Sequence, residues 1–317
     1  MKLRGNYLFQ PLDVPTPLQQ PTRFEVNWKN YVSQNGSTKS AHPPVIYVVS
    51  PVQRSGTNYL NYLVNLHQEL EFPDKNGFPK EQFLYSYSSE IREYAQKTIA
   101  SWGKWVESEE ELNVHVKQMM GHMGTGLLNY LYSNISPDKT LLLKTPDSGG
   151  LNDFFHLFPN GKVAIIVRDG RDTVESFVQS WGGDGIFTKM TQRWATRVEQ
   201  MLAFREEADQ NGLSDRHYMI RYDLLNQHQK TEMEKLLDHF QLDKNKYDWD
   251  GMEKAPVLGS STLRGTQEQV NWDPQQKPGD FNQEAKWASW TARKKQIFKQ
   301  YAGEALIKLG FEKDNNW

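Results

Sequence analysis

The sequence has 317 residues, with 37 basic and 39 acidic side chains and a formal net charge of −2 at pH 7. This length suits one large α/β domain or a domain with insertions. The near-neutral charge excludes the strongly basic surface of a general nucleic-acid-binding protein. The sequence contains no cysteine, which excludes disulfides and thiolate metal sites and is compatible with a reducing compartment.

The N-terminal region differs in composition from the rest of the chain. It has no long apolar stretch of the kind that signal peptides contain, and residues 11–22 are rich in Pro and Gln. No window reaches the roughly 18 apolar residues that a membrane span needs. We therefore predict an extended arm over residues 1–44, a single domain over residues 45–317, and a soluble cytoplasmic protein without membrane or nucleic-acid partners. The oligomeric state is not indicated.

Four short apolar runs predict β-strands. They are "VIYVVS" at 45–50, "TLLLK" at 140–144, "VAIIV" at 163–167 and the weaker "HYMIRY" at 217–222. Each run is β-branched or rich in leucine and is bounded by polar or turn residues. This pattern is typical of parallel strands that are covered on both faces.

Helical patterns separate these runs. They follow the first and third strands directly, and others lie near 109–132, 190–209, 229–240 and 286–309. Strands that alternate with helices indicate βαβ units. The predicted fold is a three-layer α/β/α domain with a central parallel sheet, similar to P-loop NTPases.

Two irregular stretches interrupt this alternation. Residues 71–88 contain Pro, Gly and aromatic residues without a clear period, and residues 243–285 are long and polar. Irregular segments of such length in a compact domain are often functional. We expect both to form walls or lids over a site at the carboxyl ends of the strands.

The loop "PVQRSGTNY" at 51–59 lies between the first predicted strand and a helix. Such a connection directs backbone N–H groups and the positive end of the helix dipole towards one point, where a phosphate binds favourably. Gly56 permits close approach of a ligand, and Arg54 supplies a fixed positive charge. The loop departs from a Walker A motif, because Thr57 follows the glycine where that motif has lysine.

A second motif, "VAIIVRDGRDTVESF", spans residues 163–177. Arg168 ends the predicted strand. On a helical wheel Ser176 points about 150° away from the apolar cluster of the following helix, so it is not a core residue. Ser176 could face a ligand beside Arg168 or face water, and Arg168 could instead form a surface ion pair with Asp169 or Asp172.

Together these motifs resemble the sulfotransferase family that uses 3′-phosphoadenosine 5′-phosphosulfate (PAPS). "PVQRSGTNY" is similar to its 5′-phosphosulfate loop, and "VRDGRDTVESF" to its 3′-phosphate motif, in which a Ser follows an Arg by eight positions. "IRYDLL" at 220–225 is similar to its later Tyr-acid-Leu segment. The resemblance runs from about residue 45 to 240 and is greatest to soluble bacterial enzymes that sulfate secondary metabolites.

The resemblance implies two phosphate sites for PAPS and for its product, adenosine 3′,5′-bisphosphate (PAP). The 5′-phosphosulfate would be held by Arg54, Ser55, Gly56, Thr57 and Asn58, and the 3′-phosphate by Arg168 and Ser176. Tyr59 and Tyr222 match positions that contact adenine, although Tyr59 could equally be a core residue. Arg264 in "GSSTLRG" resembles a late Arg-Lys-Gly clamp. Gly265 takes the lysine position there, and a surface turn is the alternative.

The resemblance also suggests catalytic roles. Arg54 and Lys144 would be the cations near the transferred group, since Lys144 begins "KTP", which is similar to the family's Lys-[Ser/Thr]-Pro element. Pro146 stands where some members have a catalytic His. Glu81 in "PKEQFLY" is similar to the general base of another branch. The alternatives are a salt bridge for Lys144 and a surface pair with Lys80 for Glu81.

His122 in "MMGHMGTG" is a second candidate base. No His, Asp or Glu cluster shows convincing metal-ligand spacing, so we predict no metal.

We expect a small organic acceptor with a hydroxyl or amine, such as a secondary metabolite. Aromatic residues are expected at the mouth of its pocket: Phe83, Tyr85, Tyr87, Trp102, Trp105 and Trp181. Two alternatives remain at this point. One is a P-loop kinase or NTPase-like phosphotransferase, and the other is a non-catalytic nucleotide-binding protein on the same fold.

Overall fold

The computed structural model describes residues 42–73, 78–181, 183–258, 276 and 285–317. The described residues belong to one compact unit that begins at His42. Almost all of the predicted N-terminal arm lies outside this range, so the boundary between arm and domain stays a prediction.

A five-stranded parallel sheet forms the centre of the described structure. Its strands are β1 (Val45–Val49), β2 (Leu70–Glu71), β3 (Thr140–Thr145), β4 (Gly161–Val167) and β5 (His217–Arg221). Their order across the sheet is β2-β3-β1-β4-β5, and every pair is parallel. All four predicted strands are confirmed. The two-residue edge strand β2 was not predicted, because it is too short to show a pattern.

Alternate residues of the central strands enter two separate cores, because successive side chains of a strand point to opposite faces. On β1, Tyr47 and Val49 face one core, and Ile46 and Val48 face the other. This two-sided burial explains why the strands are continuously apolar and not alternating.

Ten α-helices are described. They are α1 (Thr57–Val64), α2 (Ser88–Ser101), α3 (Glu109–Tyr132), α4 (Phe154–Leu157), α5 (Gly170–Trp181), α6 (Phe187–Gln210), α7 (Tyr222–Gln227), α8 (Gln229–His239), α9 (Trp249–Glu253) and α10 (Ala292–Lys308). Helices α1 and α7–α9 pack on the face of Val48, and α2–α6 with α10 pack on the face of Tyr47. The three-layer prediction is thereby confirmed. None of the described helices is both long and apolar enough to cross a bilayer.

The differences from the predicted helices have local causes. Helix α2 was missed because its sequence is polar and only Ser88, Ala95 and Ile99 of its residues are buried. Helix α10 begins at Ala292, later than predicted, because the Thr291 hydroxyl caps it by accepting the backbone N–H of Lys294. Residues Lys286–Ser289, which were assigned to this helix, form a separate 3₁₀ turn.

Candidate active site

A cavity of about 310 Å³ opens where the first loop and helix α5 approach each other. The loop follows β1 and α5 follows β4, so the cavity lies at the carboxyl ends of the sheet, as expected for a parallel α/β fold. Nine of the residues predicted to bind the donor or to act in catalysis line it: Arg54, Gly56, Thr57, Asn58, Tyr59, Glu81, Arg168, Ser176 and Tyr222. Parts of both irregular stretches form its walls, through Glu81 and through residues 252–258.

The loop after β1 has an unusual backbone. Arg54 has φ of 73° and Gly56 has φ of 99°, so both lie in the left-handed region. A Cβ atom added at Gly56 would lie 2.6 Å from Cδ2 of the Tyr222 ring. Glycine is therefore required at this position both by its dihedral angle and by the close approach of Tyr222.

Hydroxyl groups inside the loop stabilise this conformation. Ser55 is fully buried and donates to the carbonyl of Val52 at 2.9 Å, and the hydroxyls of Ser50 and Thr57 are 2.7 Å apart. The Ser55 hydroxyl has a single proton, which this bond uses. Ser55 is thus absent from the described cavity lining, and its side chain supports the loop from within.

Arg54 and Arg168 bring two positive charges together beside Ser176. The Nε of Arg54 donates to the Ser176 hydroxyl at 3.1 Å, and Nη1 of Arg168 donates to the Arg54 carbonyl at 3.2 Å. Arg168 also lies over the Tyr222 ring at 5.0 Å, and Arg54 lies 5.4 Å from the ring of Trp181. Burial and the neighbouring Arg168 lower the pKa of Arg54 to about 10. A bound anion would offset the repulsion between the two guanidinium groups.

A third cation, Lys286, approaches the same pair and was not predicted. Burial, Arg168 and Arg54 lower the pKa of Lys286 to about 7, against the opposing effect of Asp172 and Glu175. The backbone of this segment is fixed by α5, because the Asp172 carboxylate accepts the N–H of Ala285 at 3.0 Å and of Lys286 at 2.7 Å. No local sequence pattern marks Lys286, since a distant segment places it there.

Glu81 and Lys144 form an opposite-charge pair at another part of the site. Burial raises the pKa of Glu81, and Lys144 opposes this effect. Burial lowers the pKa of Lys144 to about 8, although Glu81 raises it and the amine of Lys144 donates to the Asn58 side chain. The amine of Lys144 is therefore linked to Asn58 in the loop after β1, and it interacts electrostatically with the Glu81 carboxylate.

The segment that carries Glu81 is fastened to the end of β3. The N–H of Gln82 donates to the Lys144 carbonyl at 3.3 Å, and its side-chain oxygen accepts the N–H of Lys144 at 3.1 Å. The N–H of Phe83 donates to the Thr145 hydroxyl at 3.0 Å. These bonds place Glu81 beside the carboxyl end of β3. Glu81 is not in a helix or strand, so hydrophobic periodicity could not locate it.

Two tyrosines occupy a further part of the cavity. Tyr59 and Tyr222 pack edge to face with ring centroids 6.1 Å apart. Gln229 donates from Nε2 to the Tyr59 hydroxyl at 2.9 Å. Burial raises the pKa of Tyr59, so its hydroxyl stays protonated at neutral pH. The apolar lining here comes from Met252, Ala255, Pro256, Val257 and Leu258.

Some predicted site residues lie elsewhere. Arg264 is outside the described residues. The ring of His122 lies 5.6 Å from that of His42, three residues before β1 begins, so His122 is at the amino end of the sheet, opposite the cavity. Lys144 itself is buried beneath the cavity and reaches it through Asn58.

The predicted aromatic mouth is mostly wrong. Of its six residues, only Trp181 lines the described cavity. Tyr85 is fully buried and donates to the Asp147 carbonyl at 2.5 Å, which makes it a core residue. Trp102 and Trp105 instead pack on each other at 5.4 Å, outside the cavity. Sequence proximity to Glu81 could not reveal that these residues lie outside the cavity.

Solved sulfotransferase structures resemble this chain. The sulfotransferase domain of the Synechococcus PCC 7002 olefin synthase has a TM-score of 0.50 and 19% identity, covering 84% of this chain and 98% of that one. The sulfotransferase domain of the curacin biosynthetic pathway has a TM-score of 0.48 and 19% identity, covering 82% and 98%. Mouse sulfotransferase SULT7A1, complexed with PAP, has a TM-score of 0.47 and 11% identity, covering 84% and 86%. At such identities, the olefin synthase domain supports the fold alone.

No curated protein sequence matches the chain. A family model described as the sulfotransferase family matches residues 44–246. This range is more than half of the chain and contains the first loop, Glu81, Lys144, the Arg168 motif and Tyr222. The resemblance of the motifs is thereby confirmed, and the chain belongs to the sulfotransferase family as a sulfotransferase enzyme.

Proposed function

We propose that this enzyme transfers a sulfuryl group from PAPS to a hydroxyl or amine of a small organic acceptor, with Glu81 as the general base. The observation that carries the proposal is the arrangement of one cavity. It joins Arg54, Arg168 and Ser176 to the partly buried carboxylate of Glu81, which the buried amine of Lys144 accompanies.

The residues of the cavity, together with Lys286 near the Arg54–Arg168 pair, fit a donor with two anionic groups. Arg168, Ser176 and Lys286 would hold the 3′-phosphate, and Arg54, Gly56, Thr57 and Asn58 would hold the 5′-phosphosulfate. The like charges of Arg54, Arg168 and Lys286 repel one another, and this repulsion adds to the effect of burial, which is the main cause of the lowered pKa values of Arg54 and Lys286. A dianion between them would replace this repulsion with charge-assisted hydrogen bonds.

The bound donor supplies the sulfuryl group and a leaving bisphosphate. The protein's part is to position the reactants and to stabilise charge, as in phosphoryl transfer. Negative charge develops on the leaving phosphate oxygen, and Arg54 and Lys144 are the cations proposed to stabilise it. The amine of Lys144 is held by Asn58, so its position is set by the phosphate loop.

Glu81 would accept the acceptor's proton as the acceptor's oxygen or nitrogen bonds to sulfur. Burial raises the pKa of its carboxyl group, which makes the carboxylate a stronger base than an exposed glutamate. The opposing effect of Lys144 favours the ionised form, which is the form that can accept a proton.

The proposed acceptor class rests on the lining of the cavity. Besides the proposed donor residues, the cavity is lined by Glu81, Pro146 and Trp181, which supply a carboxylate and a partly aromatic wall. This lining supports a small organic acceptor, and we propose that the acceptor is a secondary metabolite.

The experiment is a transfer assay with PAPS and a panel of small phenols, alcohols and amines, with and without magnesium. Mass spectrometry would measure the sulfated product and PAP together. The proposal predicts equimolar product and PAP without added metal. Phosphate transfer from ATP, strictly dependent on magnesium, would instead support the phosphotransferase alternative.

A further inference from the structure

Gln229 lies where the proposed donor's base would bind, and nothing in the motifs assigned it a role. It lines the cavity with Tyr59, Tyr222 and the apolar residues of the 252–258 segment. It is the first residue of α8, and helix α7, which begins with Tyr222, ends two residues before it. The two helices therefore hold the backbone of Gln229 close to Tyr222.

The orientation of the Gln229 amide is determined by its neighbours. Nε2 donates to the Tyr59 hydroxyl at 2.9 Å and to the Met252 carbonyl at 3.3 Å. A carbonyl oxygen can only accept, so the atom facing Met252 must be the nitrogen, and a flipped amide would place two oxygens against each other.

This geometry determines which group of Gln229 can meet a ligand. An amide nitrogen has two protons, and the two acceptors use both of them. The side-chain oxygen Oε1, which can only accept hydrogen bonds, is left to contact the ligand. Gln229, which lines the cavity with the two tyrosines, therefore has only an acceptor to offer a ligand.

Purines differ in what they offer to such an acceptor. Adenine has an amino group at position 6, and this group can donate a hydrogen bond. Guanine and hypoxanthine have an oxygen at that position, and this oxygen can only accept one. A site built to accept a hydrogen bond rejects an analogue that lacks the donor, because the buried group is left unpaired.

We infer that Gln229 selects adenine over 6-oxopurines in the donor, through Oε1 and the 6-amino group, with Tyr59 and the Met252 carbonyl as the residues that hold the amide in this orientation. This inference rests on the proposed function, since it specifies the base end of the same donor site.

The test compares PAP with inosine 3′,5′-bisphosphate, which carries oxygen in place of the 6-amino group. Calorimetric titration would give the ratio of the two Kd values for the wild type, for Gln229→Met and for Gln227→Met. Methionine keeps the length and helical propensity of glutamine but lacks the amide. Gln227 is exposed, so its variant controls for the substitution itself, and thermal unfolding confirms that each variant is folded.

The wild type and Gln227→Met are expected to bind PAP at least about tenfold more tightly than the inosine compound. In Gln229→Met the ratio is expected to fall to within about threefold. The inference is overturned if the wild type binds both compounds equally, or if Gln229→Met keeps the full ratio while PAP still binds. Failure of the wild type to bind either bisphosphate would overturn the donor assignment as well.

Discussion

The half of the site that is proposed to bind the donor's phosphates (the phosphate half) and the half that carries Glu81 are built in different ways. In the first, the loop after β1 places Arg54, the end of β4 places Arg168 and helix α5 places Ser176, through local strand–loop–helix geometry. In the second, Glu81 is held by hydrogen bonds between residues about 60 positions apart, Gln82 with Lys144 and Phe83 with Thr145. Strand–loop–helix geometry specifies most of the first half, to which the contact with Asp172 adds Lys286, and tertiary contacts specify the second half. This division predicts that the two halves can be disrupted separately.

The largest separation is expected from Glu81→Gln. The amide keeps the shape of the side chain but cannot accept the acceptor's proton, so kcat should fall about 10²- to 10⁴-fold. The Kd for PAP should stay within about threefold, because the cation cluster is intact. Steady-state kinetics and calorimetry on one preparation measure both quantities.

The exposed Glu110 at the first turn of α3 provides a matched control. Glu110→Gln should change neither quantity. Retention of wild-type kcat in Glu81→Gln would assign the base to another group.

Arg168→Ala should weaken donor binding, which Glu81→Gln is expected to leave nearly unchanged. It removes a buried guanidinium from the cation cluster, and the Kd for PAP should rise about 100-fold, as expected for loss of charge-assisted hydrogen bonds. Calorimetry measures the change, with Arg293→Ala on the exposed face of α10 as the control. An unchanged Kd would show that Arg168 has only a structural role at Tyr222.

Lys286 should give the phosphate half a pH dependence. Its pKa is about 7 in the free protein, and a bound phosphate would raise that value by favouring the protonated form. The contribution of Lys286 to affinity is therefore full below pH 7 and is lost as the pH rises through and above 7. Lys286→Met should weaken PAP binding about tenfold at pH 6 and progressively less towards pH 9.

The phosphate of the ligand also titrates in this pH range, but it affects the Kd values of the variant and the wild type equally. Its effect therefore cancels in the ratio of the two Kd values. Lys308→Met, at an exposed ion pair with Glu199, is the control. A ratio that is constant from pH 6 to 9 would contradict the assignment of Lys286 to the phosphate site.

The smallest effect is expected from Asp172→Asn. The two N–H groups of Ala285 and Lys286 donate to different oxygens of Asp172, and the amide replaces one of these oxygens by an NH2 group, which cannot accept. A looser Lys286 should raise the Kd for PAP about fivefold. The control is Asp138→Asn at an exposed position. Equal affinity in both variants would show that the Asp172 contact does not position Lys286.

The sequence predicts the features of this molecule that depend on short-range geometry. The central strands and Arg54, Gly56, Arg168 and Ser176 were located because short-range patterns place them: buried runs, a tight loop, and a helix with one apolar face. Ser176 is almost fully buried yet lines the cavity, as its position opposite Val174 and Val178 indicated.

The sequence could not predict features that depend on distant segments. Lys286 reaches the cation cluster only through the contact of its backbone with Asp172. Ser55 matched a phosphate-binding position, but its hydroxyl bonds to the loop's own carbonyl. Tyr85 and Trp102 are both aromatic and near Glu81 in sequence, yet one is in the core and the other is half exposed outside the cavity. Residue type and spacing did not distinguish these environments.

The most direct test of the central claim is calorimetric titration of the wild-type protein with PAP and with ATP, each with and without magnesium. The account predicts tight binding of PAP that does not depend on magnesium, and much weaker binding of ATP, which lacks the 3′-phosphate that Arg168, Ser176 and Lys286 are proposed to hold. Preferential, magnesium-dependent binding of ATP would contradict the assignment of this cavity to a sulfuryl donor.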